Sequence, residues 1–308
     1  MKIADTLYAA MLAVPALALT ACSADEPNPG PQSAATVFTV SPDELTRAGE
    51  TLSVDELQYS VYDSTGKFLF GDTSTGAPAA TLSGDVFTLI LDLVKGRQYQ
   101  VVFWAVSSQL PEGAYVFDRE AGTVTIDYSK VPSNSSTGDA FFNTATRVGG
   151  SGTGSVSLFR PFSQINIGTS QNLPTGLQSK IEIDGVPNVI DLRTGAVSGS
   201  VTFTSTLAAP PTADYPVTDP AGLKYVAMGY VLSTDCAMTP TATEPEKILK
   251  NVPLGYTIGD KSNSKSFNSV PMLYNHRVNI FGKVLDESDV TIDTEIDPTP
   301  GGGFDIQI

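Results

Sequence analysis

Histidine is almost missing from this sequence: His276 is the one imidazole in 308 residues. Every mechanism that needs two imidazoles is therefore excluded, and a Ser-His-Asp site would rest on that residue alone. Cysteine is nearly as scarce, with only Cys22 and Cys236, so neither a disulfide scaffold nor an all-cysteine metal site can be built. Basic residues are few as well: 18 Lys and Arg stand against 33 Asp and Glu, for a formal net charge of −15. That balance argues against nucleic acid as a partner, because a basic patch normally supplies most of the affinity. It argues equally against electrostatic docking to an anionic lipid surface. Tryptophan occurs once, at Trp104. Helical periodicity is not sustained over about three turns anywhere in the chain. What is present is enough to fold, since 41% of residues are hydrophobic and only 17% charged, unlike a disordered chain. The length suits roughly two domains.

The N-terminus points to a compartment. An uncharged run rich in Ala and Leu extends from Thr6 to Ala21, too short to cross a bilayer, which takes about 20 apolar residues. It has the length of a signal-peptide core. Leu19-Thr20-Ala21-Cys22 then resembles a bacterial lipobox, with cleavage expected between Ala21 and Cys22 and lipid on Cys22. Residues 1–21 are thus expected to form a lipoprotein signal peptide. The next stretch holds Pro27, Pro29, Gly30 and Pro31 and little that is apolar, so 22–35 reads as a flexible tether. With Cys22 lipidated, Cys236 has no partner and is expected to be a small core residue rather than a nucleophile.

From Thr36 onward, period-2 patterns and turn residues dominate. Val37 to Val40, Leu57 to Val61, Val86 to Leu93, Tyr99 to Val106 and Val124 to Tyr128 read as strands. Asp139-Ala140-Phe141-Phe142 reads as a short loop or helical turn with two anchoring aromatics. A second group, taken to begin at Ser155, includes Ser163 to Gly168, Lys180 to Val186, Val197 to Phe203, Tyr225 to Leu232, Arg277 to Val284 and Val290 to Ile296. Leu207 to Pro220 and Thr239 to Lys247 read as loops. Many short strands spaced by turns suggest β-sandwiches, and the glycines at 149, 150, 152 and 154 mark a natural boundary. The fold class is all-β, with two tandem β-sandwich domains over 36–152 and 153–308.

Signatures of catalysis are weak. The glycines near 150 lack the Gly-Lys-Ser/Thr ending of a phosphate loop and precede no helical pattern. Ser64-x-x-Lys67 and Ser262-x-x-Lys265 match a serine-lysine spacing, but both sit in polar turns rather than on a helix. Six acids between Asp286 and Asp297 could offer oxygens to calcium. They lack the Asp-x-Asp-x-Asp-Gly spacing, and the favoured expectation is a solvated edge strand protected by charge. No enzyme activity, metal or cofactor is expected. Arg47 stands out differently, being the one basic residue between Lys2 and Gly66. It lies in a polar stretch between the first two predicted strands, where a protease could reach it.

Taken in order, several segments resemble the fimbrillin-like lipoproteins of Bacteroidales, the type V pilus and cell-adhesion group. They are Thr36 to Val40 followed by Thr46-Arg47-Ala48, Tyr59 to Asp63, Val102-Phe103-Trp104-Ala105, Asp139 to Phe142, Phe159 to Thr169 and Tyr274 to Gly282. The resemblance implies transthyretin-like or immunoglobulin-like sandwiches, lipoprotein export, and a role in fimbriae or adhesion rather than catalysis. It further implies cleavage between Arg47 and Ala48 by an arginine-specific protease, with loss of the first strand. A donor strand from the next subunit would then fill the groove. Phe304, Ile306 and Ile308 alternate with Asp305 and Gln307 behind three glycines, and this tail either serves as that donor or completes its own sheet. The expected partners are other fimbrial subunits or host and bacterial surface ligands, with membrane contact through the N-terminal lipid only and no nucleic acid. The expected location is the surface of the outer membrane, lipid-anchored, or a fimbrium. An alternative class is a surface glycan-binding lipoprotein, which would present exposed aromatics; Trp104 in an apolar strand speaks against it.

Overall fold

The computed structural model describes residues 32–42, 54–217, 221–236, 247–285, 291–293 and 303–307. Numbered in chain order, the strands form five sheets. The first runs β10 (Gly152–Leu158), β1 (Ser33–Pro42), β5 (Val86–Val94), β4 (Thr81–Ser83). The second runs β3 (Phe68–Gly71), β2 (Glu56–Asp63), β6 (Gln98–Val106), β9 (Ala140–Val148). The third runs β16 (Lys224–Leu232), β11 (Phe162–Thr169), β19 (His276–Gly282), β21 (Gly303–Gln307). The fourth runs β15 (Val201–Thr204), β12 (Gln178–Val186), β17 (Ile248–Ile258), β18 (Lys261–Met272), β20 (Thr291–Asp293). A small fifth sheet joins β14 (Val197–Ser198), β13 (Val189–Asp191), β8 (Thr123–Ile126) and β7 (Tyr115–Asp118). The chain is all-β.

Alternation along each strand sorts side chains into two cores. The first and second sheets close on one core, where Phe38 and Val40 of β1 and Leu89 and Leu91 of β5 meet Tyr59, Val101 and Phe103. Phe38 and Phe103 touch across it with ring centroids 5.5 Å apart. A larger core lies between the third and fourth sheets, from Ile165 and Val278 to Ile181, Leu254 and Phe267. It also takes in the fifth sheet through Val124, Ile126 and Ile190.

The second sheet belongs to both cores. In β6, Tyr99, Val101, Phe103 and Ala105 enter the first core, while Val102, Trp104 and Val106 enter the larger one. A strand buried on both faces needs apolar residues at successive positions, and Val101 to Val106 supplies them. Trp104 is fully buried.

Some local expectations change. Residues 139–142 are neither loop nor helical turn: a short 3-10 turn at Ser136–Gly138 leads into β9, which starts at Ala140. The two phenylalanines face opposite cores, as strand neighbours must. The glycine-rich segment turns the chain out of β9, and β10 then pairs in parallel with β1 over Thr36↔Gly152 to Pro42↔Leu158. The longest hairpin, β17 with β18, has no counterpart in the predicted strands.

Candidate functional site

Three of the segments that carry the family resemblance meet at one buried junction. Arg160, 1% exposed, donates from Nε to Asp139 Oδ1 at 2.7 Å and from Nη2 to Oδ2 at 2.6 Å. Its backbone N–H donates to Asn275 Oδ1 at 3.1 Å. Asn275 sits at φ 59°, a left-handed conformation that asparagine tolerates better than most residues, and its own N–H donates to Phe162 O. Aromatics enclose the pair. The guanidinium lies over Phe141 and Tyr230, and Phe159 meets Phe142 edge-on, with ring centroids 4.6 Å apart, and tilts against Tyr274 at 5.9 Å. The junction ties β9, the β10–β11 connection and the β18–β19 turn together. It joins segments more than a hundred residues apart and so organises the fold.

β1 is the second feature. It pairs antiparallel with β5, Ser33↔Val94 to Val40↔Phe87, and parallel with β10. It is thus an interior strand contributed by the start of the folded chain. Thr36, Phe38 and Val40 are fully buried, and Thr36 Oγ1 accepts from the Gly150 N–H at 3.0 Å. Of the residues predicted at the processing and anchoring sites, Ala21, Cys22, Arg47 and Ala48 lie outside the described residues, the last two in the connection between β1 and β2. Phe304 and Ile306 lie in β21, whose backbone pairs in parallel with β19 through Val278↔Phe304 and Ile280↔Ile306. Ile308 lies outside the described residues, as do Asp286, Glu287, Asp289, Glu295 and Asp297.

A third feature escaped the sequence. The loop at 207–217 crosses the face of the third sheet that bears Gln164, Asn166 and Asn279 and is pinned at both ends. Ala208 exchanges backbone hydrogen bonds with Ser179, at 2.8 and 3.1 Å. At the far end the Tyr215 hydroxyl reaches the Asn166 and Ile280 carbonyls, each at 3.1 Å. The Tyr215 ring occupies the space over Gly168, where a β-carbon would stand only 2.5 Å from it. Two clefts of about 490 and 470 Å³ flank the resulting strap. A tyrosine among four prolines was the available signal, but nothing in the spacing tells an anchored loop from a free one.

The remaining candidates resolve into structural roles. Lys265 is buried and donates to the Lys283 carbonyl at 3.0 Å, not to Ser262. His276 Nδ1 lies 2.9 Å from the Tyr274 carbonyl. Cys236 is buried, and burial raises its thiol well above the ordinary range, the opposite of an activated nucleophile. Burial also pushes the Tyr59 phenol up to about 12, with the Asp72 carboxylate adding to it, and raises Tyr62, Tyr115 and Tyr128. Among the described residues, no three His, Cys, Asp or Glu side chains gather closely enough to hold a metal ion.

Similar strand arrangements occur in solved structures. One is a fimbrial assembly protein from Parabacteroides distasonis: 13% identity, TM-score 0.43, covering 81% of this chain and 90% of that one. Another is a candidate cell adhesion protein from Bacteroides uniformis: 12% identity, TM-score 0.45, covering 86% and 97%. A third is a candidate polysaccharide-binding protein from Bacteroides thetaiotaomicron: 14% identity, TM-score 0.45, covering 76% and 81%. No curated protein matches the sequence. Residues 30–303 match DUF6562, described as a family of unknown function, and the chain belongs to that family.

Proposed function

We propose that this chain is a surface-exposed lipoprotein that acts as a fimbrial subunit or cell adhesin. It binds rather than catalyses. In this account residues 1–21 direct export and are removed before Cys22, which carries the lipid. The tether leads from Cys22 to β1, and the sheets around the two cores form the folded body. Assembly proceeds by cleavage between Arg47 and Ala48, loss of β1 and insertion of a donor strand.

The position of β1 carries this proposal. A strand at a sheet edge could leave at little cost, but β1 lies between β5 and β10. Its loss would open two rows of backbone N–H and C=O groups and uncover Leu89, Leu91, Phe103 and Val156. Such a groove binds an extended segment with alternating apolar residues, the backbone giving affinity and the pockets giving register. Phe304, Ile306 and Ile308 repeat the every-second-residue spacing of Thr36, Phe38 and Val40. Among the described residues β21 pairs with β19 alone; in the groove it would lie between β5 and β10.

Treating the full chain with an arginine-specific protease tests the assembly. The expected products are a new N-terminus at Ala48 and a ladder of SDS-resistant oligomers that grows with concentration. A chain cut at that bond that stays monomeric would overturn donor-strand assembly.

A further inference from the structure

We propose that the two clefts astride the strap at residues 209–214 form one binding site for a neutral saccharide chain. Both have the volume of a ligand site, at about 490 and 470 Å³, within the usual range of roughly 300–1,000 Å³. They share Pro211, Thr212, Ala213, Asp214 and Tyr225, so a single extended ligand crossing the strap would touch both. The strap is fixed beforehand by Ala208 on Ser179 and by the Tyr215 anchor. Asn134 adds hydrogen bonds from Nδ2 to the Ala208 and Ala209 carbonyls. A site held in shape loses little ordering entropy on binding.

The lining selects the chemistry. Thr212 and Asp214 are exposed on the strap, and neither side chain has a hydrogen-bond partner among the described residues. A hydroxyl beside a carboxylate offers one donor and several acceptors, a match for adjacent sugar hydroxyls. Behind them, Tyr225, Met228 and Tyr230 of β16, none more than 6% exposed, close the base of the larger cleft. In the smaller cleft, the half-buried Leu173 and Pro174 offer apolar surface to the C–H face of a sugar ring. Phosphate and nucleotide ligands fit poorly: among the described residues no Lys or Arg lines the larger cleft. In the smaller one, Lys224 Nζ donates to Asn172 Oδ1 at 3.1 Å.

This deepens the adhesin account by naming a ligand class, and it rests on that account only in placing the chain at a surface. The test is binding of the full chain to an array of glucans, mannans, galactans and N-acetylglucosamine oligomers, followed by calorimetric titration of the best binder. The double variant Thr212→Ala/Asp214→Ala removes only exposed side chains, so its melting temperature should match the parent. Its affinity should fall roughly tenfold or more, as loss of charged and neutral hydrogen bonds entails. Retention of no saccharide by the parent, or equal titrations for parent and variant, would overturn the site. Neither change touches β1 or Arg47, so the protease ladder fails or succeeds independently.

Discussion

At the scale of single residues, the Asp139–Arg160 pair shows how burial changes the worth of an interaction. Exposed ion pairs contribute about 0–1 kcal/mol, but these two side chains are 6% and 1% exposed. Both carboxylate oxygens are occupied by the guanidinium, so removing either partner strands a charge. Arg160→Met is expected to destabilise the fold by about 3–5 kcal/mol, whereas the double variant Asp139→Leu/Arg160→Met should recover much of that loss. Chemical denaturation of the three proteins gives the comparison. A double variant less stable than Arg160→Met would show that the pair, rather than the stranded charge, supplies the stability. Asn275 acts in the same place through its backbone conformation as well as its side chain.

At the scale of elements, the strands easiest to read from sequence are those buried on one or both faces. β6 announces itself through Val101 to Val106, and β16 through the run Tyr225 to Leu232, buried throughout. The β17–β18 hairpin hides because burial alternates over only five of the eleven residues of β17, at Val252, Leu254 and Tyr256. Pro253 and a register shift between Lys250 and Val252 interrupt the pattern further. β18 reads Lys-Ser-Asn-Ser-Lys-Ser before its first buried aromatic, Phe267, a composition that local propensity assigns to a loop. β9 was obscured by the polar turn before it. The buried junction was legible as three separate motifs, but their convergence depends on pairings more than a hundred residues apart, such as Arg160 with Asn275. The strap was legible as a loop and nothing more, because its form comes from Tyr215 finding the gap over Gly168.

At the scale of the whole molecule, residues 33–308 form one compact unit, in which the second sheet serves both cores. Buried phenols give this unit an alkaline limit. Below about pH 10, the ordinary tyrosine value, folded and unfolded chains both keep these protons and the phenols leave stability unchanged. Above it the unfolded chain releases protons that the fold retains, on Tyr59 up to about 12, and Tyr62, Tyr115 and Tyr128 shift the same way. Stability is therefore present below about pH 10 and is lost as pH rises through that window. Melting temperature should hold between pH 8 and 9 and fall by pH 11; an unchanged value at pH 11 would contradict the burial of these phenols. The central claim concerns β1, an interior strand replaceable from outside. It is tested most directly by native mass spectrometry of the chain cut after Arg47 and mixed with a synthetic peptide of residues 301–308. The account predicts a chain beginning at Ala48 that has lost β1 and holds one peptide. A cut chain that keeps its own β1, or releases it and takes no peptide, would contradict the account.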